Sequence, residues 1–562
     1  MYNAAFVSRH ALILLVTAGL TFFLGLGRGA IGDSDEAFYA EAAREMVESG
    51  NWLTPYYNYE LRFQKPILYY WLAAAAYKAA GVSEAAARMP AAASGLGLVL
   101  ITWLCARRWY PGRAALIAGL IAATCFGYFT MARMALPDLP LALCISVSCW
   151  ALLESVWASR DGADRRATWW LLGASAAAAL GMLMKGPVAV ALALLVILPV
   201  LALPWRSRSW AWKVSPLLAA AALFLAIAAP WYLAMAREHG LGYLHHFFVG
   251  ENLDRFATDR YNEPRPVWFY VPIVIGGLMP WSPFMAPWVR SAGRVLSGAR
   301  TLAAHEWHLL CWAGAPFLFY SFSIGKQPRY VLPMLPPLAI LLAASIDRRL
   351  QRAEDGDAGS RRTLAWCATA AAVVLLVFGA LLQRGKPLLF AMDPTTGVIA
   401  TVLVIAAGLG LLLVCWSKRP AWIPMAVAAA STAALLGVHY SVYSAEGIEP
   451  VQKMAASFAR HWPGARASGT YRVFVRNLVF YTGVKQTDLN SRDELLEFLS
   501  SQDPVLAVAT QEDLENLEAE HGLRPIRLEQ VTYFNASGLR LRTLLHPDPD
   551  KDLETVWLVT NR

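Results

Sequence analysis

Residues 11–36 read ALILLVTAGLTFFLGLGRGAIGDSDE, an apolar run that ends in an acidic cluster. A run of this length and composition is typical of a membrane-spanning helix. Carboxylates at the edge of a bilayer are costly unless they face a polar cavity, so the cluster indicates a functional site at the membrane surface. Helix capping is a simpler interpretation, since Ser34 or Asp35 could accept a backbone N–H bond at the start of the next segment, 37–46. Both can hold, because capping needs only one of these side chains.

The composition of the whole chain predicts a polytopic α-helical membrane protein. Of its 562 residues, 57% are hydrophobic and 16% are charged, whereas about a quarter are charged in a soluble domain. The formal net charge of +9 could suggest a nucleic-acid partner. We instead assign the excess Lys and Arg to cytoplasmic loops, where they set the orientation of membrane helices. We therefore expect membrane lipids and no nucleic acid as partners.

Thirteen stretches are apolar over about the 20 residues that a spanning helix needs. They are 10–28, 90–106, 113–131, 137–157, 168–184, 186–204, 214–235, 266–288, 305–323, 329–347, 363–383, 395–416 and 421–442. Alternate loops between them, beginning with the one that carries Arg107, Arg108 and Arg113, are short and basic. The positive-inside rule places these loops in the cytoplasm. An odd number of spans then leaves the C-terminus on the outer face.

The outer face holds the longer segments. In loop 29–89 we predict interfacial helices at 37–49 and 67–80, and loop 236–265 is the second large element. From residue 443 the pattern changes to strand-like runs at 473–475, 505–509, 539–545 and 556–559, with helical patterns at 491–499 and 511–520. Alternating strand and helix patterns predict an α/β domain. We therefore predict a transmembrane domain at 1–442 and an outer, periplasmic α/β domain at 443–562.

Further polar and charged residues gather on this outer face. They are Lys65 in FQKP (63–66), Glu84 and Arg88, Asp138 in MARMALPD (131–138), Lys185 in MKGP (184–187), His245, Glu251 and Arg255 in LHHFFVGENLDRF (244–256), and Lys326, Arg329 and Tyr330 in GKQPRY (325–330). Each has a simpler interpretation: a snorkelling Lys65, a Glu84–Arg88 helix salt bridge, an N-cap at Asp138. Together, however, cations suit a phosphate and carboxylates suit sugar hydroxyls or amines. The combination describes a polyprenyl-phosphate sugar held at membrane depth.

These motifs, in this order over about residues 10–350, resemble the membrane glycosyltransferases of the C superfamily, and most closely the family that transfers 4-amino-4-deoxy-L-arabinose to lipid A. The resemblance implies an undecaprenyl-phosphate sugar donor, a lipid A phosphate as acceptor, a role in polymyxin resistance, and an active site on the periplasmic face of the bacterial inner membrane. It also implies roles for single residues. Asp35 and Asp138 are the implied catalytic carboxylates, and the implied donor contacts are Lys65, Lys185, Arg255, Lys326 and Tyr330.

Several alternatives stay open from the sequence. A divalent metal ion could be held by Asp35, Glu84 and His245, although no spacing requires it, and no other cofactor is expected. A protein O-glycosyltransferase would use the same class of donor, with Asp35 as general base toward a hydroxyl. A lipid transporter would fit the many spans, but the chain shows neither internal repeats nor paired broken helices. We expect a monomer, since no dimerisation pattern stands out.

Overall fold

The computed structural model describes residues 4–202, 212–258, 264–296, 302–389, 394–417, 419–442, 449–535 and 540–562. Over this part of the chain the protein is a polytopic α-helical membrane protein with a C-terminal sheet domain, as predicted. Within these described ranges, eight helices are long and apolar enough to cross a membrane: Glu84–Trp109, Asp138–Arg160, Asp164–Met184, Val214–His239, Pro328–Glu354, Ala358–Leu389, Thr395–Cys415 and Pro420–Tyr440. Shorter apolar helices are Ser8–Phe23 and Val188–Leu201, and Ala304–Phe322 is a further long helix. The count of thirteen spans stays a prediction.

Two of the predicted spans are bent helix pairs. Gly112–Thr124 continues into Phe126–Ala132 at an angle of 51°, and Val267–Gly277 continues into Ser282–Ser291 at 115°. The breaks contact each other, because the Phe126 N–H donates to the carbonyl of Met279 at 3.0 Å. A backbone group freed by a break at membrane depth must find its partner within the protein. The expectation of no paired broken helices is therefore wrong, since tertiary contact supplies the missing bond.

The two outer loops fold into short elements over the membrane helices. In chain order these are Asp35–Ser49, strand β1 (Tyr56–Tyr57), strand β2 (Glu60–Leu61), Leu68–Ala80, Leu241–His245, His246–Leu253 and Asp254–Ala257. The first and fourth confirm that the predicted segments 37–49 and 67–80 are helical, and their position in the membrane interface stays a prediction. Strands β1 and β2 form an antiparallel hairpin. Both residues of its turn, Asn58 and Tyr59, have positive φ, the backbone that a tight two-residue hairpin turn requires.

The C-terminal domain contains one five-stranded sheet in the order β4-β3-β5-β7-β6. Its strands are β3 (Ala467–Tyr471), β4 (Thr487–Leu489), β5 (Val505–Thr510), β6 (Ile526–Phe534) and β7 (Leu553–Thr560), and its helices are Pro450–His461, Leu478–Thr482, Arg492–Leu499, Gln511–His521, Leu541–Leu545 and Pro549–Asp552. The first three strands in the order are parallel, and β7 is antiparallel to both its neighbours. The predicted strands at 505–509 and 556–559 are confirmed.

Two predicted strands of this domain are wrong. Residues 473–475 follow β3 in a turn, where Phe474 has a φ of 55°, and 541–545 is helical. Strands β4 and β6 were not predicted, because β4 is short and polar and Arg527 and Glu529 interrupt the apolar pattern of β6. Apolar runs alone cannot distinguish a strand from a turn or a short helix that packs against the same core.

The segment between β3 and β4 is hydrogen-bonded to the hairpin formed by β1 and β2. The Asn58 side chain donates to the carbonyl of Gln486 at 2.7 Å and accepts from its N–H at 2.8 Å. Beside it, the Tyr59 hydroxyl donates to the carbonyl of Gly483 at 2.6 Å. The N–H of Tyr59 in turn donates to the Glu45 carboxylate at 3.1 Å. Glu45 therefore supports the hairpin that carries the C-terminal domain.

We predict a pH dependence of stability from Glu45, which is 3% exposed. Burial, together with the neighbouring Glu41, raises the pKa of Glu45 from its ordinary 4.5 to about 8. Protonated Glu45 therefore stabilises the fold, fully below pH 4.5, and this contribution is lost as pH rises through 8. The melting temperature in detergent should fall between pH 5 and 9, and Glu45→Gln should show a smaller fall. Glu48→Gln, on the exposed side of the same helix, is the control; equal pH dependence in all three proteins would contradict the prediction.

Candidate active site

The side chains of the acidic cluster have separate partners. Ser34 caps the helix, its hydroxyl accepting from the N–H of Glu36 at 3.3 Å, so the capping interpretation holds for Ser34. Asp33 accepts from the backbone N–H of Arg476 at 2.7 Å. Buried Glu36 accepts from Nε of Arg88 at 2.8 Å, and Arg88 also donates to four carbonyls between residues 26 and 30. Arg88 thus holds the loop that leads to the cluster. It does not form the salt bridge with Glu84, on its own helix, that the sequence suggested.

Asp35 and Asp138 are brought together by Arg329. The guanidinium donates from Nη2 to Oδ2 of Asp35, and its Nε lies 3.2 Å from Oδ2 of Asp138. Lys185 donates from Nζ to Oδ1 of Asp138 at 2.5 Å and lies 4.7 Å from the ring centre of Tyr330. Asp35, Asp138, Lys185 and Arg329 form what we call the Arg329 network. It contains two carboxylates and two cations, so its net charge is zero.

Each member of the network stands at the end of a helix. Asp138 lies in the first turn of Asp138–Arg160. Lys185 directly follows Asp164–Met184, where Gly186 turns the chain with a φ of 122° that a side chain would disfavour. Arg329 lies in the turn that opens the span Pro328–Glu354. Helix ends from distant parts of the sequence therefore meet at one point, on the side of the membrane domain that the C-terminal domain contacts.

Asp35 and Asp138 differ in their access to solvent. The Asp35 side chain is 46% exposed, whereas that of Asp138 is 4% exposed. Burial alone would raise the pKa of Asp35, but the charges of Arg329, Arg476 and Arg62 outweigh it and hold this pKa below its usual 3.8. Asp35 is therefore ionised at neutral pH. It can pair with a cation or accept hydrogen bonds, but it is a weak base.

Arg329 was noted in the sequence without an assigned role. Its position between Lys326 and Tyr330 in GKQPRY was the available signal, but no local pattern tells which member of a basic turn will reach a distant carboxylate. The structure selects Arg329. Lys326, which the sequence favoured, is buried and donates to the backbone carbonyls of Ser323 and Arg265, so it lies apart from the Arg329 network.

The other predicted contacts divide into two groups. Lys185 belongs to the network, and Tyr330 adjoins it. Lys65 instead pairs with Glu251 at 3.3 Å, and Glu251 is 4% exposed. The side chain of Arg255 lies outside the described residues, so its predicted role stays a prediction.

The predicted metal ligands do not meet. Glu84 accepts from the Gln452 side chain at 2.7 Å and from the Tyr481 hydroxyl at 2.9 Å, both in the C-terminal domain, and His245 is exposed. Within the described ranges, no group of three or more His, Cys, Asp or Glu is placed to hold a metal ion. The grouping of Asp35, Glu84 and His245 is therefore not formed, because Glu84 is turned toward the C-terminal domain.

An apolar cavity of about 440 Å³ borders Arg329. Both bent helix pairs and the segment 327–335 contribute its walls, which include Phe126, Thr130, Ile273, Val274, Leu332 and Leu335. A charged network next to an apolar cavity suits an amphipathic ligand, with a charged head at Arg329 and a hydrocarbon chain in the cavity.

Known proteins resemble this chain in sequence and in fold. The family model of dolichyl-phosphate-mannose-protein mannosyltransferase matches residues 30–245. An undecaprenyl phosphate-alpha-4-amino-4-deoxy-L-arabinose arabinosyl transferase of Aeromonas salmonicida is 31% identical over 395 residues, 70% of this chain and 70% of that protein. A protein of the same name from Erwinia tasmaniensis is 32% identical over 345 residues, 60% of this chain, and the match spans only 59% of that relative's length. The crystal structure of ArnT from Cupriavidus metallidurans bound to undecaprenyl phosphate has the same fold, with a TM-score of 0.70, 22% identity and 98% of each chain covered.

We predict that Arg329→Gln destabilises the protein by about 3 kcal/mol, because it leaves the buried Asp138 and the nearby Asp35 with less positive charge. Adding Asp138→Asn to this variant should recover part of the loss, since it removes the buried charge. Melting temperatures in detergent measure both effects. Lys213→Ala removes a well-exposed ion pair with Asp164 and should leave the melting temperature unchanged. A fall in Lys213→Ala as large as that in Arg329→Gln would contradict the prediction.

Proposed function

Since this chain belongs to the family of the undecaprenyl phosphate-alpha-4-amino-4-deoxy-L-arabinose arabinosyl transferases, we propose that it transfers 4-amino-4-deoxy-L-arabinose from undecaprenyl phosphate to a phosphate of lipid A. The observation that carries the proposal is the Arg329 network beside an apolar cavity. A polyprenyl-phosphate sugar has a hydrocarbon chain, an anionic phosphate and a sugar at one end. The protein offers a matching surface for each of these parts.

The head group of the donor has the same balance of charges as the network. Its phosphate is negative, and the amino group of the sugar is an ammonium at neutral pH. Arg329 and Lys185 suit the phosphate, whereas Asp35 and Asp138 suit the ammonium. A zwitterionic head group would replace ion pairs inside the network with ion pairs to itself, so binding leaves no charge unmatched. The first isoprene units would occupy the cavity beside Arg329.

Transfer breaks the bond between the anomeric carbon and the phosphate oxygen, and the electron pair stays on the phosphate. Negative charge therefore grows on the leaving group, and cations already in place stabilise it. Arg329 and Lys185 are placed for this role. The attacking oxygen of a lipid A phosphate is ionised at neutral pH, so no proton has to be removed. Asp35 then orients the sugar through its ammonium.

The lowered pKa of Asp35 favours a phosphate acceptor over a protein hydroxyl. A serine or threonine acceptor needs a general base, and efficient bases have a pKa near the working pH. Burial usually raises the pKa of such a carboxyl, whereas the arginines lower it here. Among the alternatives from the sequence, protein O-glycosylation is therefore the less suited to this site.

We place the reaction at the periplasmic face of the bacterial inner membrane. Asp138 begins the span Asp138–Arg160 at the Arg329 network, and the helix ends in Arg160. Glu84–Trp109 likewise begins on the site's face and ends with Arg107 and Arg108. Basic residues mark the cytoplasmic end of a span, so the network lies at the opposite end.

The direct test is mass spectrometry of lipid A from cells that lack this activity and express the chain. We expect a pentosamine on lipid A with the wild type and none with Asp35→Asn, which loses the charge that pairs with the sugar ammonium. Membrane abundance of both proteins is the control. A fully active Asp35→Asn would refute the role of Asp35. Unmodified lipid A, with abundant wild-type protein and donor present, would refute lipid A as the acceptor.

The cavity is tested by Ile273→Trp, which fills part of the space proposed for the isoprenoid chain. We predict that the donor KM rises about tenfold, because a few buried methylene groups contribute that much to affinity. Ile275→Trp is the matched control: Ile275 lies on the same helix, is 42% exposed and does not line the cavity. Equal donor KM values for the two variants would place the isoprenoid chain elsewhere.

A further inference from the structure

The guanidinium groups of two arginines lie near one aromatic ring, that of Phe38, one helical turn from Asp35. The guanidinium of Arg62 is 4.2 Å from the ring centre of Phe38, and that of Arg476 is 5.3 Å from the same centre. Because Phe38 follows Asp35 by three positions in one helix, the ring and the carboxylate lie on the same face. The structure places two positive charges beside Asp35, in addition to those of the Arg329 network.

Arg62 comes from the outer loop and is surrounded by aromatic side chains. Its Nε donates to the hydroxyl of Tyr70 at 3.2 Å, and its guanidinium lies 5.7 Å from the ring centre of Tyr57. In the part of the chain that the structure describes, Arg62 forms no ion pair with a carboxylate. A half-buried cation is costly without a counter-charge, and aromatic faces compensate only part of that cost. This environment is suited to an incoming anion.

Arg476 comes from the C-terminal domain, and its backbone is held from two sides. Its N–H donates to Asp33 at 2.7 Å, and its carbonyl accepts from the Tyr57 hydroxyl at 3.2 Å. Its side chain is exposed and, among the described residues, has no ion-pair partner. The fold therefore fixes where Arg476 stands and leaves its guanidinium available at the rim of the site.

We propose that Arg62 and Arg476 form a phosphate-binding site over Phe38, and that this site holds the phosphate of the acceptor. The assignment rests on the proposed function. A phosphate monoester has three outer oxygens, so it can accept from both guanidinium groups at once. The C-terminal domain would thereby supply part of the acceptor site.

Position favours the acceptor phosphate over that of the donor. The apolar cavity for a lipid chain borders Arg329, so the donor phosphate belongs with Arg329 and Lys185. Arg476 stands instead at the solvent-exposed rim, on the side of the C-terminal domain. Asp35 bonds to Arg329 and also feels the charges of Arg62 and Arg476. A sugar held by Asp35 would therefore lie near both the leaving phosphate, at Arg329 and Lys185, and the attacking phosphate, at Arg62 and Arg476.

The test measures binding of lipid A to the full-length protein in detergent, without donor. We expect Arg476→Ala to weaken binding about tenfold or more, as the loss of a charge-assisted bond predicts, and Arg476→Lys to recover part of it. Removing the phosphates from lipid A should weaken binding to the wild type, with little further effect on Arg476→Ala. Arg472→Ala is the matched control, because Arg472 lies in the same turn but pairs with Asp513 inside the C-terminal domain. Steady-state kinetics should show a raised KM for lipid A with the donor KM unchanged.

Competition experiments show whether the site binds the phosphate of lipid A or that of another lipid. Inorganic phosphate at millimolar concentration should displace lipid A from the wild type more than from Arg476→Ala. The proposal is overturned if Arg476→Ala binds lipid A as tightly as Arg472→Ala, if phosphate-free lipid A binds the wild type equally well, or if only the donor KM changes. Phosphatidylglycerol vesicles that compete as well as lipid A would overturn the assignment to the acceptor. Because binding is measured without transfer, these outcomes are readable even if lipid A proves not to be modified in cells.

Discussion

Charges at the edge of a bilayer are stable only when opposite charges meet them, and the structure is organised around that requirement at Arg329. Asp35 is on an outer helix, Asp138 and Lys185 are at the ends of two different spans, and Arg329 opens a third. The three more buried side chains, those of Asp138, Lys185 and Arg329, would not be stable there alone, because the loss of hydration is not repaid by the chain around them. Their mutual contact fixes the relative positions of the elements that carry them. The same contact forms a polar site of zero net charge beside an apolar cavity.

The second constraint concerns the backbone. Each of the bent helix pairs leaves peptide groups that a continuous helix would have satisfied, and the bond from Phe126 to Met279 joins the two breaks. The breaks also open the space that becomes the cavity, since straight helices would pack along their whole length. Broken spans are expected where they are buried in protein or line a cavity. In this fold they do both, which connects the architecture of the membrane domain with a site for a hydrocarbon chain.

The C-terminal domain completes the outer face. Its contacts reach the acidic cluster through Arg476, the hairpin through Gln486 and the start of a span through Tyr481. These contacts give Asp33, Asn58 and Glu84 structural roles that differ from those of Asp35 and Asp138. They also bring the exposed guanidinium of Arg476 next to Phe38. A domain that is far along the chain thereby adjoins the residues that are proposed to act on the sugar.

From its amino acids alone, this chain was recognisable as a polytopic membrane protein with two short helices after its first apolar run and a C-terminal α/β domain. Hydropathy and charge are averaged over many residues, so the class of fold survives errors at single positions. Asp35, Asp138 and Lys185 were also identified, because a carboxylate or lysine at a span end is unusual in itself. Tertiary structure alone assigned the partners: Arg329 for the two acids, Glu36 rather than Glu84 for Arg88, and the C-terminal domain rather than a metal for Glu84. The physical reason is that an ion pair depends on which distant side chain arrives within about 4 Å, and that distance is a property of packing that no local pattern records.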